Sequence, residues 1–272
     1  MTATTAPAVP AATAGPSRLR RVGALARAET LLLLRNRTAV VNSVLSPLLL
    51  VALVPLFGTD EAPLGQALLA AAAGFTLVFL TYYNLVVTYV ARREALVLQR
   101  MRTGELTDGE VLAATAVPTL LVTAVQMAVV AVGVVVLGEW RAPVDPVLPV
   151  LAVLLGAVLM VVLATLSSVW TRTPESAQVT TLPVVVAATA ASGLFFPLTA
   201  LPEVLATVAR LLPLTPVVEL VQLGLSGRTW DGAAVAGADL WWAALGPVVT
   251  LLAWVLVAGA LSLRWFRWAP KR

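Results

Sequence analysis

The chain has 272 residues, of which 60% are hydrophobic and only 12% charged, and its formal net charge is +4. Soluble domains carry about 25% charged residues, so this composition excludes a soluble domain and indicates an integral membrane protein. Cysteine and histidine are absent, which excludes disulfides, thiolate metal sites and histidine-based catalysis. The one lysine, Lys271, lies in the tail, so the chain has no Gly-Lys-Ser/Thr phosphate loop with which to bind a nucleotide.

The first elements precede any long apolar run. Residues 1–17 are rich in Ala, Thr and Pro and uncharged, a composition that predicts a disordered cytoplasmic tail. Residues 18–37 have helical periodicity, with Arg20, Arg27 and Arg35 on one side and Leu19, Val22, Ala26 and Leu33 on the other. This pattern predicts an amphipathic helix lying along the membrane interface. A simpler interpretation is a basic flank that only orients the first span.

Six charge-free runs follow, each about as long as the ~20 residues that cross a bilayer. They comprise residues 38–57, 65–90, 111–137, 147–170, 177–196 and 240–263. With the N-terminus inside, 15 of the 18 lysines and arginines fall on the inner side and only Arg141, Arg210 and Arg228 on the outer side. This asymmetry predicts a multi-pass protein of the cell membrane with both termini in the cytoplasm, ending in a basic tail over residues 264–272.

Between the second and third runs lies a charged segment, residues 90–111, that contains four arginines and four acidic residues. It is too short to form a domain and too charged to lie in hydrocarbon. We expect a cytoplasmic loop that is held by a partner.

Residues 197–225 are apolar but are interrupted by Pro197, Pro202, Pro213 and Pro216. Proline disfavours a continuous helix, and a seventh span would move the basic tail outside. We therefore predict a re-entrant hairpin, with short helices over residues 201–212 and 216–225 dipping into the outer leaflet.

Polar residues recur at helical spacing on two consecutive spans. They are Thr81, Asn84 and Thr88 on the second span and Thr119, Thr123 and Gln126 on the third. Two interpretations remain open: interhelical hydrogen bonds worth about 0.6 kcal/mol each, or the weakly polar wall of a substrate path.

The spans contain no ionisable residue, and only Glu203 and Glu219 lie in the shallow hairpin. Ion-coupled carriers generally need ionisable groups at membrane depth, so an ion-coupled carrier is disfavoured. Glu219 is a candidate for an outer gate, and the alternative is an exposed residue near the headgroups. Small residues over 187–193 predict a close packing seam in the fifth span, suited to a second subunit.

The order of these parts resembles an ABC-2 type permease, the membrane subunit of an ATP-binding-cassette exporter. The resemblance rests on the amphipathic segment followed by Arg35-Asn36-Arg37, Pro47 in the first span, the loop from Arg93-Glu94 to Thr103-Gly104, and Ser192-Gly193-Leu194-Phe195-Phe196-Pro197. Leu211-Leu212-Pro213-Leu214-Thr215-Pro216 completes it.

The resemblance implies an all-α protein with six spans, an interface helix before the first and a re-entrant pair before the sixth. It also implies a dimer, with a second copy or a paralogue, bound to two separate P-loop ATPase subunits that carry ATP and magnesium. By similarity, the ATPase would contact Arg20, Arg27, Arg35, Arg92, Arg93, Glu94, Arg100, Arg102, Gly104 and Glu105. We assign Phe195, Phe196 and Pro197, together with Glu219, to an outer gate.

These features predict a permease subunit without its own enzymatic activity, exporting a hydrophobic drug, antibiotic or lipid-like substrate by alternating access. We expect this chain to bind no cofactor and no nucleic acid, and to contact membrane lipids. One alternative is a membrane partner or immunity subunit that does not transport. Another is a polytopic lipid-modifying enzyme, which is disfavoured because the inner loops lack histidine and any spacing of acids that would hold two metals.

Overall fold

The structure is a computed structural model that describes residues 18–35, 37, 41, 45, 64–98, 107–194, 198 and 201–266. The predicted first span at residues 38–57, apart from two isolated positions, lies outside these residues, as do both tails. In the described part of the chain all regular structure is helical, and the β structure is limited to an isolated bridge between Arg228 and Ala234.

Four helices are long and apolar enough to cross a membrane. They are α2 (Leu64–Glu94), α3 (Asp108–Val136), α4 (Val147–Ser168) and α8 (Ala238–Trp265). Shorter helices are the N-terminal α1 (Arg18–Arg35), the apolar α5 (Ala177–Ala190), α6 (Glu203–Arg210) and α7 (Thr215–Ser226). The chain is therefore an all-helical, multi-pass membrane protein.

Helix α2 differs from a regular α-helix in two ways. Its middle, Thr76–Tyr83, is π-helical, a wider winding that is often found at functional sites. Its end extends into the charged segment, so that Arg92 and Arg93 lie in the last helical turn. Ala, Arg and Glu are good helix formers, which explains the extension. The helix ends where Leu96 adopts a left-handed φ of 57°.

Helix α3 begins just outside the undescribed part of the loop. The backbone N–H of Thr107 donates to the Glu110 carboxylate at 2.7 Å, within a reciprocal capping box. Such a box satisfies two backbone donors that a helix start would otherwise leave unpaired, so it fixes the residue at which this helix begins.

Helix α5 is shorter than the predicted fifth span. Its 14 residues extend about 21 Å at 1.5 Å per residue, less than the ~30 Å hydrocarbon thickness. After Ala190 the chain bends, and Gly193 has a φ of 80° that a side chain would strain. A Cβ at Gly193 would also lie 2.3 Å from the ring of Trp230. Backbone conformation and this packing therefore end the helix early.

Helices α6 and α7 lie in the segment predicted as a re-entrant hairpin. They are bent by 88° relative to each other, a geometry that fits either a broken span or a re-entrant loop. The described part of the chain thus provides four spans, or five if this pair crosses as one. The six-span arrangement and the hairpin remain predictions.

The core lies where α2, α4 and α7 meet. Gly156 of α4 lies against Leu77 of α2 and Val217 of α7, with no room for a larger side chain. The outer faces of α3, α4, α5 and α8 instead expose valine, leucine and tryptophan. Because exposed apolar surface of this extent is rare on soluble monomers, these faces are suited to lipid or to a second subunit.

Candidate functional site

The end of α2 is attached to the N-terminal helix. Arg92 donates to both carboxylate oxygens of Glu29 in α1, with Nη1 2.6 Å from Oε1. The same Nη1 lies 3.4 Å from the hydroxyl of Thr115 in α3, and Glu29 is 7% exposed. A bidentate pair with a buried carboxylate is costly to break, since the carboxylate would be left without a partner. Helix α1 is therefore tied to α2 at a point of contact with α3.

The next residue attaches α2 to α4. The Arg93 side chain is 1% exposed and donates to the backbone carbonyls of Ser168, at 2.8 Å, and Thr171. Ser168 is the last residue of α4 and Thr171 lies three residues beyond it. At a helix C-terminus a positive charge is favourable and free acceptors remain. Adjacent arginines thus attach α2 to α1 on one side and to α4 on the other.

The predicted ATPase-contact residues divide by their exposure. Arg20, Arg27, Arg35 and Glu94 are exposed, whereas Arg92 is half-buried in its ion pair and Arg93 is buried. The remaining predicted contacts, Arg100, Arg102, Gly104 and Glu105, lie outside the described residues. The charges that a partner can reach directly in this part of the protein are therefore mainly those of α1.

The polar residues of the second and third spans meet at one pair. The hydroxyls of Thr81 and Thr123 lie 2.7 Å apart, and both side chains are buried. Gln126 is buried as well, and Thr119 is half-buried. This arrangement has the form of interhelical hydrogen bonding between α2 and α3.

Asn84 is separated from that buried pair. It is exposed on the surface of the protomer, and Thr88, one turn further on, is half-buried. Regular helical spacing would place both on the face of Thr81. The π-helical segment before Asn84 turns through fewer degrees per residue, so it separates the two parts of the stripe. The second span thus presents a polar amide away from the packed core.

The predicted outer gate is described only at Glu219. This residue is half-buried in α7, close to Trp230, with Arg210 and Asp231 in its electrostatic surroundings. Phe195, Phe196 and Pro197 lie outside the described residues. Among the described residues no group of three or more acidic side chains is arranged to hold a metal ion.

The comparison with protein families matches the ABC-2 type transporter family over residues 20–225. The chain belongs to this family. ABC-2 membrane proteins are transporter permeases and not themselves enzymes. The matched region, which runs from the first turn of α1 to the last turn of α7, is therefore a transport domain. The chain matches none of the curated proteins with which it was compared.

Several residues that organise this ABC-2 domain were not predicted from the sequence. Glu29, Thr115, Ser168 and Thr171 contribute a carboxylate, a hydroxyl and two backbone carbonyls to the arginines of α2. One signal was present, because Glu29 is the only acidic residue in α1. Backbone carbonyl acceptors have no sequence signal, since every residue has one.

Proposed function

We propose that this chain is the membrane-spanning subunit of an ABC exporter, driven by a separate ATPase and carrying a hydrophobic compound or lipid-like molecule outward. The match to the ABC-2 family over residues 20–225 carries the proposal. The sequence has no Gly-Lys-Ser/Thr phosphate loop of its own, which favours a partner that binds ATP and magnesium.

The proposed docking surface is centred on α1. Arg20, Arg27 and Arg35 are exposed on this helix, and Glu29 joins the same helix to α2 through Arg92. An ATPase that contacts α1 would therefore act on the spans without direct contact to them. ATP binding need only favour one arrangement of the helices over the other for this contact to drive transport.

The proposed substrate path includes the exposed side of α2. An amide on a lipid-facing helix surface would lose its hydrogen bonds to water, so Asn84 is better suited to a water-accessible cavity or to an interface with a second permease. Thr88 lies on the same helix near it. We assign Thr81, Thr119, Thr123 and Gln126 to the supporting contact between α2 and α3.

Co-purification of the tagged full-length chain from its native cells, with identification of the P-loop ATPase that it recovers, tests the docking surface. Charge reversal at Arg20, Arg27 and Arg35 should reduce recovery of the ATPase at least tenfold, because three attractive contacts become repulsive. The control is Arg210→Glu, which reverses one exposed charge in α6, outside the proposed surface. Recovery with this variant should stay within twofold of the wild type.

Transport is tested with the same complex in proteoliposomes, using a panel of fluorescent hydrophobic dyes and ATP on the α1 side. ATP-dependent dye movement that is lost in the triple charge reversal supports the exporter. Normal ATPase recovery with the triple variant would refute the docking surface. Stable assembly without movement of any dye would favour a non-transporting membrane partner.

A further inference from the structure

A polar cavity of about 500 Å³ lies at the end of the bundle remote from the Glu29–Arg92 pair. It lies where the start of α2, the α3–α4 connection and the end of α7 meet. Its polar lining is contributed by Gln66, Arg141, Gln222, Ser226, Arg228 and Thr229. A cavity of this size is within the range that holds small ligands.

The two arginines of this cavity are free to bind a ligand. Arg141 and Arg228 are both exposed, and within the described residues neither forms an ion pair. The third outer arginine, Arg210, pairs instead with Asp231 at 3.1 Å. Asp145, an acidic residue of the α3–α4 connection, accepts from the backbone N–H groups of Val147 and Leu148 at the start of α4. The carboxylates of Asp145 and Asp231 therefore have other partners.

The carbonyl groups at the end of α7 do not hold these arginines either. Four successive carbonyls have donors. The end of the helix itself supplies the Ser226 hydroxyl to Gln222 and the Gly227 N–H to Leu223, and other segments supply the Asp145 N–H to Gly224 and the Gln66 amide to Leu225. A helix C-terminus usually attracts cations through such carbonyls. Here they are occupied, so the helix end does not explain the arginine pair.

We propose that this cavity binds a phosphate-bearing ligand. Guanidinium groups match phosphate oxygens bidentately. The Gln222 amide in the same lining suits the polar remainder of a headgroup, and the Ser226 and Thr229 hydroxyls, whose hydrogens are donated to backbone carbonyls, can still accept. Exposed Trp140, Trp241 and Trp242 lie at or near this end of the helices, and tryptophan marks the depth of lipid headgroups. The ligand is therefore either the headgroup of an anionic lipid or a soluble phosphate ester. Its binding requires neither the ATPase nor transport, so the two proposals fail independently.

Binding to the purified full-length chain tests the proposal with three probes: dioctanoyl-phosphatidylglycerol, dioctanoylglycerol, which lacks the phosphate, and glycerol 3-phosphate. We expect saturable binding of a phosphate-bearing probe and none of dioctanoylglycerol. The Arg141→Gln/Arg228→Gln variant should weaken binding at least tenfold. Arg210→Gln, the control at an arginine outside the cavity, should change it less than twofold.

The probes also identify the source of the ligand. Binding of the lipid alone indicates that the ligand is a membrane headgroup, and binding of glycerol 3-phosphate alone indicates a soluble ester. Binding of both indicates a site that recognises the phosphate group in either molecule. Binding of neither, unchanged affinity in the double variant, or an equal loss with Arg210→Gln overturns the proposal.

A second measurement leaves the arginines in place, in case the double variant does not fold. Because the chain has no cysteine, Ala142→Cys in the cavity lining can be labelled alone. At each position the quantity measured is the ratio of the reaction rate with a negatively charged thiosulfonate to that with a neutral one. This ratio should be higher at Ala142→Cys than at the exposed Ala233→Cys outside the cavity. The phosphate-bearing probe should slow the reaction only at Ala142→Cys. Equal ratios at both positions, or no protection, contradict the proposal.

Discussion

Two polar side chains three residues apart on α2 have different environments. Thr81 is buried and meets the hydroxyl of Thr123 at 2.7 Å, whereas Asn84 is exposed on the protomer. The Thr81–Thr123 contact lies inside the protomer, whereas the Asn84 side chain is free to contact a substrate or a second subunit. Their roles can therefore be separated by substitution.

We predict that Asn84→Leu changes the dye concentration for half-maximal stimulation of the partner ATPase by at least threefold. The amide would no longer offer hydrogen bonds to a cavity or to a second permease. Thr81→Val is the matched control, because it removes a hydroxyl that only bonds within the protomer. It should lower the free energy of unfolding by about 0.6 kcal/mol and leave dye stimulation unchanged. The opposite pattern would make the α2–α3 contact the substrate path.

The stripe at residues 81, 84 and 88 was visible in the sequence because regular helical spacing predicts shared faces. The separation of Thr81 from Asn84 was not predictable from the sequence. The eight π-helical residues before Asn84 change the angle between successive side chains, so the two no longer share a face. Nothing in Thr76–Tyr83 distinguishes a π-helix from an α-helix by composition. The pairing of Arg92 with Glu29 also depends on the approach of two helices that are distant in sequence.

At the scale of elements, the end of α5 depends on one glycine. Gly193 combines a left-handed φ of 80° with close contact to the Trp230 ring. A side chain in this conformation costs roughly 1–2 kcal/mol, and the clash with the ring adds a cost of about 1–3 kcal/mol. We predict that Gly193→Ala lowers the thermal unfolding temperature of the purified protein markedly.

Gly138→Ala is the control for the backbone term. Gly138 has a similar φ of 75°, but nothing lies within 4 Å of the position a Cβ would take. Gly138→Ala should therefore lower the stability only by the cost of the backbone conformation, and Gly193→Ala should lower it further. In the Gly193→Ala background, Trp230→Ala should cost less than in the wild type, because the two sites are coupled. Equal effects of the two glycine variants would show that the ring yields to the new methyl group.

The long helices were predictable because length and hydropathy alone define a segment that can cross a membrane. The runs at residues 65–90, 111–137, 147–170 and 240–263 correspond to α2, α3, α4 and α8. The fifth run was predicted too long, since an apolar sequence does not reveal that Gly193 bends the chain. The 88° bend between α6 and α7 fits Pro213, which lies between the two helices, and Pro216 in the first turn of α7.

At the scale of the whole molecule, the charge asymmetry of the sequence predicts which end of the bundle faces the cytoplasm. Thr173, between α4 and α5, and Ala233, between α7 and α8, are both exposed and lie in connections assigned to opposite sides. The absence of cysteine allows each to be replaced singly. We predict that a membrane-impermeant maleimide labels Ala233→Cys in intact cells and labels Thr173→Cys only after permeabilisation.

Labelling of Lys271→Cys should follow Thr173→Cys, because the basic tail is predicted on the same side. Simultaneous labelling of Ala233→Cys and Lys271→Cys in intact cells would contradict the predicted crossing of α8, the one long helix between them, and the cytoplasmic position of the basic tail. Labelling of Thr173→Cys alone would invert the topology, and with it the direction in which an ATPase on α1 could drive transport.

The neighbouring arginines Arg92 and Arg93 make the last turn of α2 the point at which α1, α2 and α4 are joined. A force that displaces α1 would act on Glu29 and, through its contact with Arg92, would rotate α2. Arg93 passes the same rotation to the end of α4. Breaking the Glu29–Arg92 contact would leave the buried Glu29 carboxylate without its partner. Loss of one partner of a buried ion pair costs about 3–5 kcal/mol, several times the thermal energy. If an ATPase contacts α1 as proposed, these two attachments would carry its displacement to both α2 and α4, because neither can break cheaply.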